Sequence, residues 1–198
     1  DIRKDGPKEL VIAASTPSGN TFFLPVSLKN VLGLRLKIIS GYAGSREAAM
    51  ALETGEVMGR VWDMEGVKAT RPQWLADGTL KILAQLAPKK HPTVPVDVPL
   101  ARDFAQSEDD KKALDLIAIS TTLARPTIAP PGLPPERLRA LRDAYMATMR
   151  DPEFLSEMGK LQLTVDPVSG DEMEKAVREA YELPDALIQR VRRALATE

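Results

Sequence analysis

Two short runs of hydroxyl and glycine residues carry the chemistry of this chain: Ser15-Thr16-Pro17-Ser18-Gly19-Asn20-Thr21 and Ser40-Gly41-Tyr42-Ala43-Gly44-Ser45. Each follows an apolar run and precedes a helical pattern. Turns of this kind expose backbone N–H groups and alcohols. A helix that starts there adds unpaired N–H groups and the positive end of its dipole. The hydroxyls of Ser15, Thr16, Ser18 and Thr21 supply further neutral donors. Such an arrangement holds a small anion; it offers no nucleophile or base with which to transform one. The competing reading of the first turn is that Ser18 or Asn20 caps the helix. Asp63, at the end of a third apolar run, either accepts a hydrogen bond from a ligand or caps the helix after it. Arg46 and Arg60 are the nearest cations, and solvated surface is the plainer reading of each. Trp62 suits core packing as well as a pocket wall.

Other constellations are missing. GYAGSREA lacks the lysine-hydroxyl pair of a phosphate-binding loop, and neither turn matches the glycine fingerprint of dinucleotide folds. His91 is the sole histidine and lies in a proline-rich stretch, which works against a Ser–His–Asp arrangement. No HExxH motif or cluster with metal-ligand spacing occurs. The pairs Asp109-Asp110 and Asp171-Glu172 sit at predicted helix starts, where the dipole accounts for them. The expectation is a binding protein without cofactor or metal, not an enzyme.

The 198 residues suffice for one large domain or two small lobes. Charged residues make up 28% and hydrophobic ones 43%, an ordinary globular balance. The net charge of −1 comes from 27 basic and 28 acidic residues, well mixed, so nucleic acid is not an expected partner. There is no cysteine, which excludes disulfides and fits either the cytoplasm or a bacterial periplasm. No apolar run approaches the roughly 18 residues of a membrane span. The charged opening DIRKDGPKE is not a signal peptide.

The elements that must position the turns read as follows. Glu9 to Ala14 is a buried strand, Asn20 to Leu32 a helix closed by Gly33, and Leu36 to Ser40 a second strand. A helix runs from Ser45 to Gly55, a strand from Val57 to Trp62, a helix around Gly66 to Ala76 and a strand from Leu80 to Leu86. Strands alternating with helices imply an α/β fold with a mostly parallel sheet flanked by helices. Residues 88–99 hold four prolines and read as an extended surface segment. Leu100 to Ala105 and Ser107 to Ile119 read as helices, the latter capped by Ser107. Ser120 to Ala129 is β-like. Then come an amphipathic helix with Leu138, Leu141, Tyr145 and Met149 on one stripe, a helix from Asp151-Pro152, a short strand at Leu161 to Val165, and helices after Ser169 and Pro184.

These residues resemble a known family. STPSGNTFFLPVSLKNVLGLRLKIISGYAGSREAAMALETGEVMGR is similar to the second-lobe core of the tripartite tricarboxylate transporter receptors, the Bug-type or TctC-type solute-binding proteins. LADGTLKILAQLAPKKHPTVPVDVP and RPTIAPPGLPPERLRALRDAYMATMRDPEFLSEMGKLQLTVDPVSGDEM resemble later segments of that family. The resemblance implies a type II periplasmic-binding fold, in which two α/β lobes close over a small carboxylate and deliver it to the membrane permease subunits of a transporter. It implies residues 1–125 as the second lobe and 126–198 as a mainly helical C-terminal part of the first. Carried over by position, the ligand-binding residues are Ser15, Thr16, Ser18, Gly19, Asn20 and Thr21, then Tyr42, Gly44 and Ser45, with Asp63. The family begins with an export signal and the opening half of the first lobe, whereas this chain starts just before the second. It is therefore expected to be a fragment or a truncated relative, and a truly truncated chain would be covered by a partner, such as a second copy in a homodimer. The alternatives are an effector-sensing domain of a transcription regulator, which uses a similar fold, and a hydrolase with a serine in one of the turns.

Overall fold

The computed structural model describes residues 8–122, 126–161 and 163–196. The chain divides into two compact units, Asp1–Thr122 with Pro184–Glu198, and Leu123–Leu183.

The first unit is α/β. Strands β1 (Leu10–Ala13), β2 (Leu36–Ile39) and β3 (Gly59–Arg60) form a parallel sheet in the order β2-β1-β3. Leu10 to Ala13 pair in register with Leu36 to Ile39, and Ala13 lies opposite Arg60. Helix α1 (Asn20–Leu32) crosses from β1 to β2 and α2 (Ser45–Glu53) from β2 to β3. Gly33 ends α1 with φ 63°, the left-handed conformation that a Cβ disfavours. Pro25 lies beyond the first turn of α1, so it removes the N–H that would bond the Thr21 carbonyl. Ala13, Ala48, Ala51 and Val57 form the core between the sheet and α2.

Beyond β3, a single helix over 66–76 is replaced by two, α3 (Met64–Thr70) and α4 (Pro72–Ala76). Pro72 is the reason. The residue before a proline is pushed out of the helical region, and Arg71 has φ −146° and ψ 62°. The strand expected at Leu80–Leu86 does not form; Gln85 makes only an isolated parallel bridge to Leu100. Its buried side chain organises the proline-rich loop instead, donating to the Val98 carbonyl (3.2 Å) and accepting from the His91 N–H (2.9 Å). That loop is not wholly at the surface, because Val94 and Val98 are buried. Ala101–Phe104 is a 3-10 turn. Helix α5 (Glu108–Thr122) then runs through residues expected to be β-like. Ser120 and Thr121 are accommodated because their hydroxyls donate to the carbonyls of Ile117 and Ala118. Residues 123–125, the middle of that expected strand, lie outside the described residues.

The second unit contains α6 (Pro135–Thr148), α7 (Pro152–Lys160) and α8 (Gly170–Tyr181). Asp151 caps α7, and Ser169 with Glu172 forms a capping box on α8. Arg142 bridges Asp171 and Glu174. No residue of these helices is buried, and Leu141 and Tyr145 of the expected stripe are exposed. No strand forms among the described residues of 161–165; Leu161 closes α7 instead, and residue 162 lies outside them.

The last helix, α9 (Asp185–Leu195), lies in the first unit. Ala194 and Val191 pack with Val31, Leu114 and Ile117 of α1 and α5. Asn30 donates to the carbonyls of Ala194 and Ala196, both at 3.0 Å, and Arg190 pairs with Asp110. Among the described residues, no helix is long and apolar enough to cross a membrane.

Candidate functional site

All three strands are parallel and each feeds a helix, so the loops 14–19, 40–44 and 61–63 leave one edge of the sheet. The carboxyl edge of an open parallel sheet is where such folds bind ligands. Backbone hydrogen bonds join the first two loops. Gly41 N–H donates to the Ser15 carbonyl (2.7 Å) and Tyr42 N–H to the Ala14 carbonyl (3.4 Å). The turns expected to converge are thus stitched side by side.

Within the first loop, Ser15 and Thr21 close the ends on each other. Their hydroxyls lie 2.6 Å apart, and Ser15 N–H donates to Thr21 Oγ1 at 3.0 Å. Thr16 and Ser18 stand exposed, with hydroxyls 3.4 Å apart. Neither Ser18 nor Asn20 caps α1. Gly19 occupies the capping position, no side chain bonds the first amides, and no acidic residue lies in the first turn. The positive end of α1 is therefore answered by no side chain of the helix itself.

The second and third loops differ from the first. Gly44 precedes α2, again without a side-chain cap, but Glu47 in the first turn folds back to 3.3 Å from where a Gly44 Cβ would stand. The dipole at Ser45 is thus partly met by a resident carboxylate. Tyr42 packs its ring against the Ala13–Val57 core and donates its hydroxyl to Glu56 Oε1 at 2.6 Å. That hydrogen bond, with burial and the negative charge of Glu56 adding to it, raises the Tyr42 phenol above its ordinary pKa. Asp63 follows the capping reading, with Oδ1 accepting from Gly66 N–H at 2.6 Å.

Sequence reasoning underweighted Arg60 and Trp62. Arg60 is half-buried rather than fully solvated. Its Nε and Nη1 are buried without a hydrogen-bond partner, as is Trp62 Nε1. The guanidinium carbon stands 4.6 Å from the Trp62 ring centroid, a cation–π stack. Burial pushes the Arg60 pKa down while Asp63 pulls it up; a guanidinium stays charged under both. Gly66 makes the stack fit. A Cβ there would lie 2.3 Å from Trp62 Nε1, so the indole rests directly on the first turn of α3. The spacing Arg-x-Trp was the available signal, since residues two apart on an extended chain share a face. Arg46, by contrast, is exposed as expected.

Among the described residues, no group of His, Cys, Asp and Glu could hold a metal ion. Comparison with protein-family models, with characterised proteins and with solved structures finds no match to this chain.

Proposed function

We propose that this chain is the ligand-binding part of a receptor that captures a small organic carboxylate and leaves it chemically unchanged. The observation that carries the reading is the uncapped amino terminus of α1, set at the carboxyl edge of the parallel sheet and bordered by the stitched loops 14–19 and 40–44. A carboxylate there accepts from the backbone amides of Asn20 and Thr21 and from the exposed hydroxyls of Thr16 and Ser18, with ordered water completing its shell. Gly44 and Ser45 contribute less, because Glu47 already occupies their helix end. Tyr42 and Asp63 shape the site from positions where their polar atoms are engaged.

In this proposal the fold is the second lobe of a type II periplasmic-binding architecture. The chain is then a TctC-type receptor working in the periplasm and handing its cargo to permease subunits. The resemblance in STPSGNTFFLPVSLKN and IISGYAGSREAAMALETGEV supports it, together with the three-stranded parallel sheet. Calorimetry against a panel of di- and tricarboxylic, amino and aromatic acids tests the function. Binding of at least one acid, weakened in a Ser18→Ala/Ser45→Ala double variant, is expected. Absence of heat with every acid, or affinity unchanged in the variant, contradicts the reading.

A further inference from the structure

Among the described residues, Arg60 Nε, Arg60 Nη1 and Trp62 Nε1 are the buried side-chain donors that lack an acceptor, and they occur together. Other arginines here find carboxylates. Arg71 holds Glu53 through two bonds of 2.6 and 3.0 Å, Arg102 holds Asp115, and Arg190 holds Asp110. Arg60 has a carboxylate close by in sequence, yet Asp63 is engaged with the Gly66 amide and makes no ion pair with it. A buried guanidinium without an acceptor is costly to keep, and so is a buried indole N–H. Convergence of both at the end of β3, on the sheet edge that α1 also faces, places a charged donor group where an anion would arrive. The stack on Trp62 fixes the guanidinium in place, which lowers the entropy cost of receiving a ligand.

We propose that Arg60, held on the Trp62 ring, forms the charged subsite of this edge, in which a ligand carboxylate accepts hydrogen bonds from the Arg60 guanidinium and the indole beneath it reports the contact. This rests on the reading of the sheet edge as a carboxylate site and extends it. Neutral amides and alcohols recognise the carboxylate at α1, while Arg60 adds a direct ionic contact. Binding then has a component that salt screens and that a neutral isostere of the ligand lacks.

The test titrates the 198-residue chain with succinate, citrate and benzoate, and with succinamide as the uncharged control. The signals followed are the Trp62 indole N–H, assigned by its loss in Trp62→Phe, and the backbone amides of Asn20 and Thr21. The expected result is that a carboxylate moves the indole resonance and both amides while succinamide moves none. Charge-assisted hydrogen bonds of about 1.5–3 kcal/mol convert to a loss of roughly ten- to a hundred-fold in affinity for Arg60→Gln. Trp62→Phe keeps the ring under the guanidinium and should lose only a few-fold. If the Asn20 and Thr21 amides move but the indole does not, and Arg60→Gln binds as tightly as the parent, the charged subsite is wrong and the carboxylate reading stands. If no probe moves either set, both fall.

Discussion

At the scale of single residues, function and stability pull apart at Arg60. Its guanidinium is partly desolvated against Trp62 and makes no ion pair with the nearby Asp63, so it costs the folded state energy that a ligand would return. Arg60→Met keeps the length and apolar stem of the side chain and removes the buried charge. The unfolding free energy of this variant should rise by about 1–3 kcal/mol in denaturant melts; a fall would mean that the guanidinium has a structural partner. Tyr42 makes the opposite case, a candidate ligand residue whose hydroxyl serves the fold. Its hydrogen bond to Glu56 protects the neutral phenol, so that stabilisation is complete below the unfolded pKa and is lost as pH rises through the raised folded one. In a spectrophotometric alkaline titration, Glu56→Gln should bring the Tyr42 transition down, and an unmoved transition contradicts the pairing. These roles were not legible in the residue types. A strand-end arginine reads as surface until its neighbours are placed, and a tyrosine in a glycine-serine turn reads as a pocket residue until its partner is known.

At the scale of elements, the helix starts separate polar groups that cap from those that the proposed function leaves for a ligand. Asp63 caps α3, so Asp63→Ala should cost about 1 kcal/mol in equilibrium unfolding. Ser18 caps nothing, and Ser18→Ala should stay within about 0.5 kcal/mol of the parent while weakening carboxylate binding. A Ser18→Ala cost as large as that of Asp63→Ala would restore the capping reading. Elements with strong local signals were legible in the sequence. The apolar run at Leu10–Ala13, the α1 span closed by Gly33 and the helix that starts after Ser169 all stand in the structure near their expected bounds. Elements that depend on distant partners were not. LKILAQL has strand composition, but the bonds of Gln85 run to the loop that ends at Pro99, which local pattern does not encode. Arg71 shows the reverse, a boundary that Pro72 dictated and that the periodicity of 66–76 concealed.

At the scale of the molecule, the first unit closes only with its last helix. Residues 184–196 return to seal α1 and α5, and Leu114 at the centre of that contact is almost fully buried. Leu114→Ala should cost about 2–5 kcal/mol in chemical denaturation, as expected where a cavity opens between helices from distant parts of the chain. A loss below about 1 kcal/mol would mean that α9 is only loosely held. In the proposed function this seal matters because α1 carries the uncapped end that faces the sheet edge, and α9 holds its opposite end through Asn30. The central claim, that this edge receives a carboxylate, is tested most directly by mapping backbone amide shifts across the whole chain during titration with an organic acid that it binds. The account predicts the largest shifts at residues 15–21 and 60–63, smaller ones at 41–46, and little change in 135–181. Shifts concentrated in α6, α7 and α8, with residues 15–21 unmoved, would contradict it.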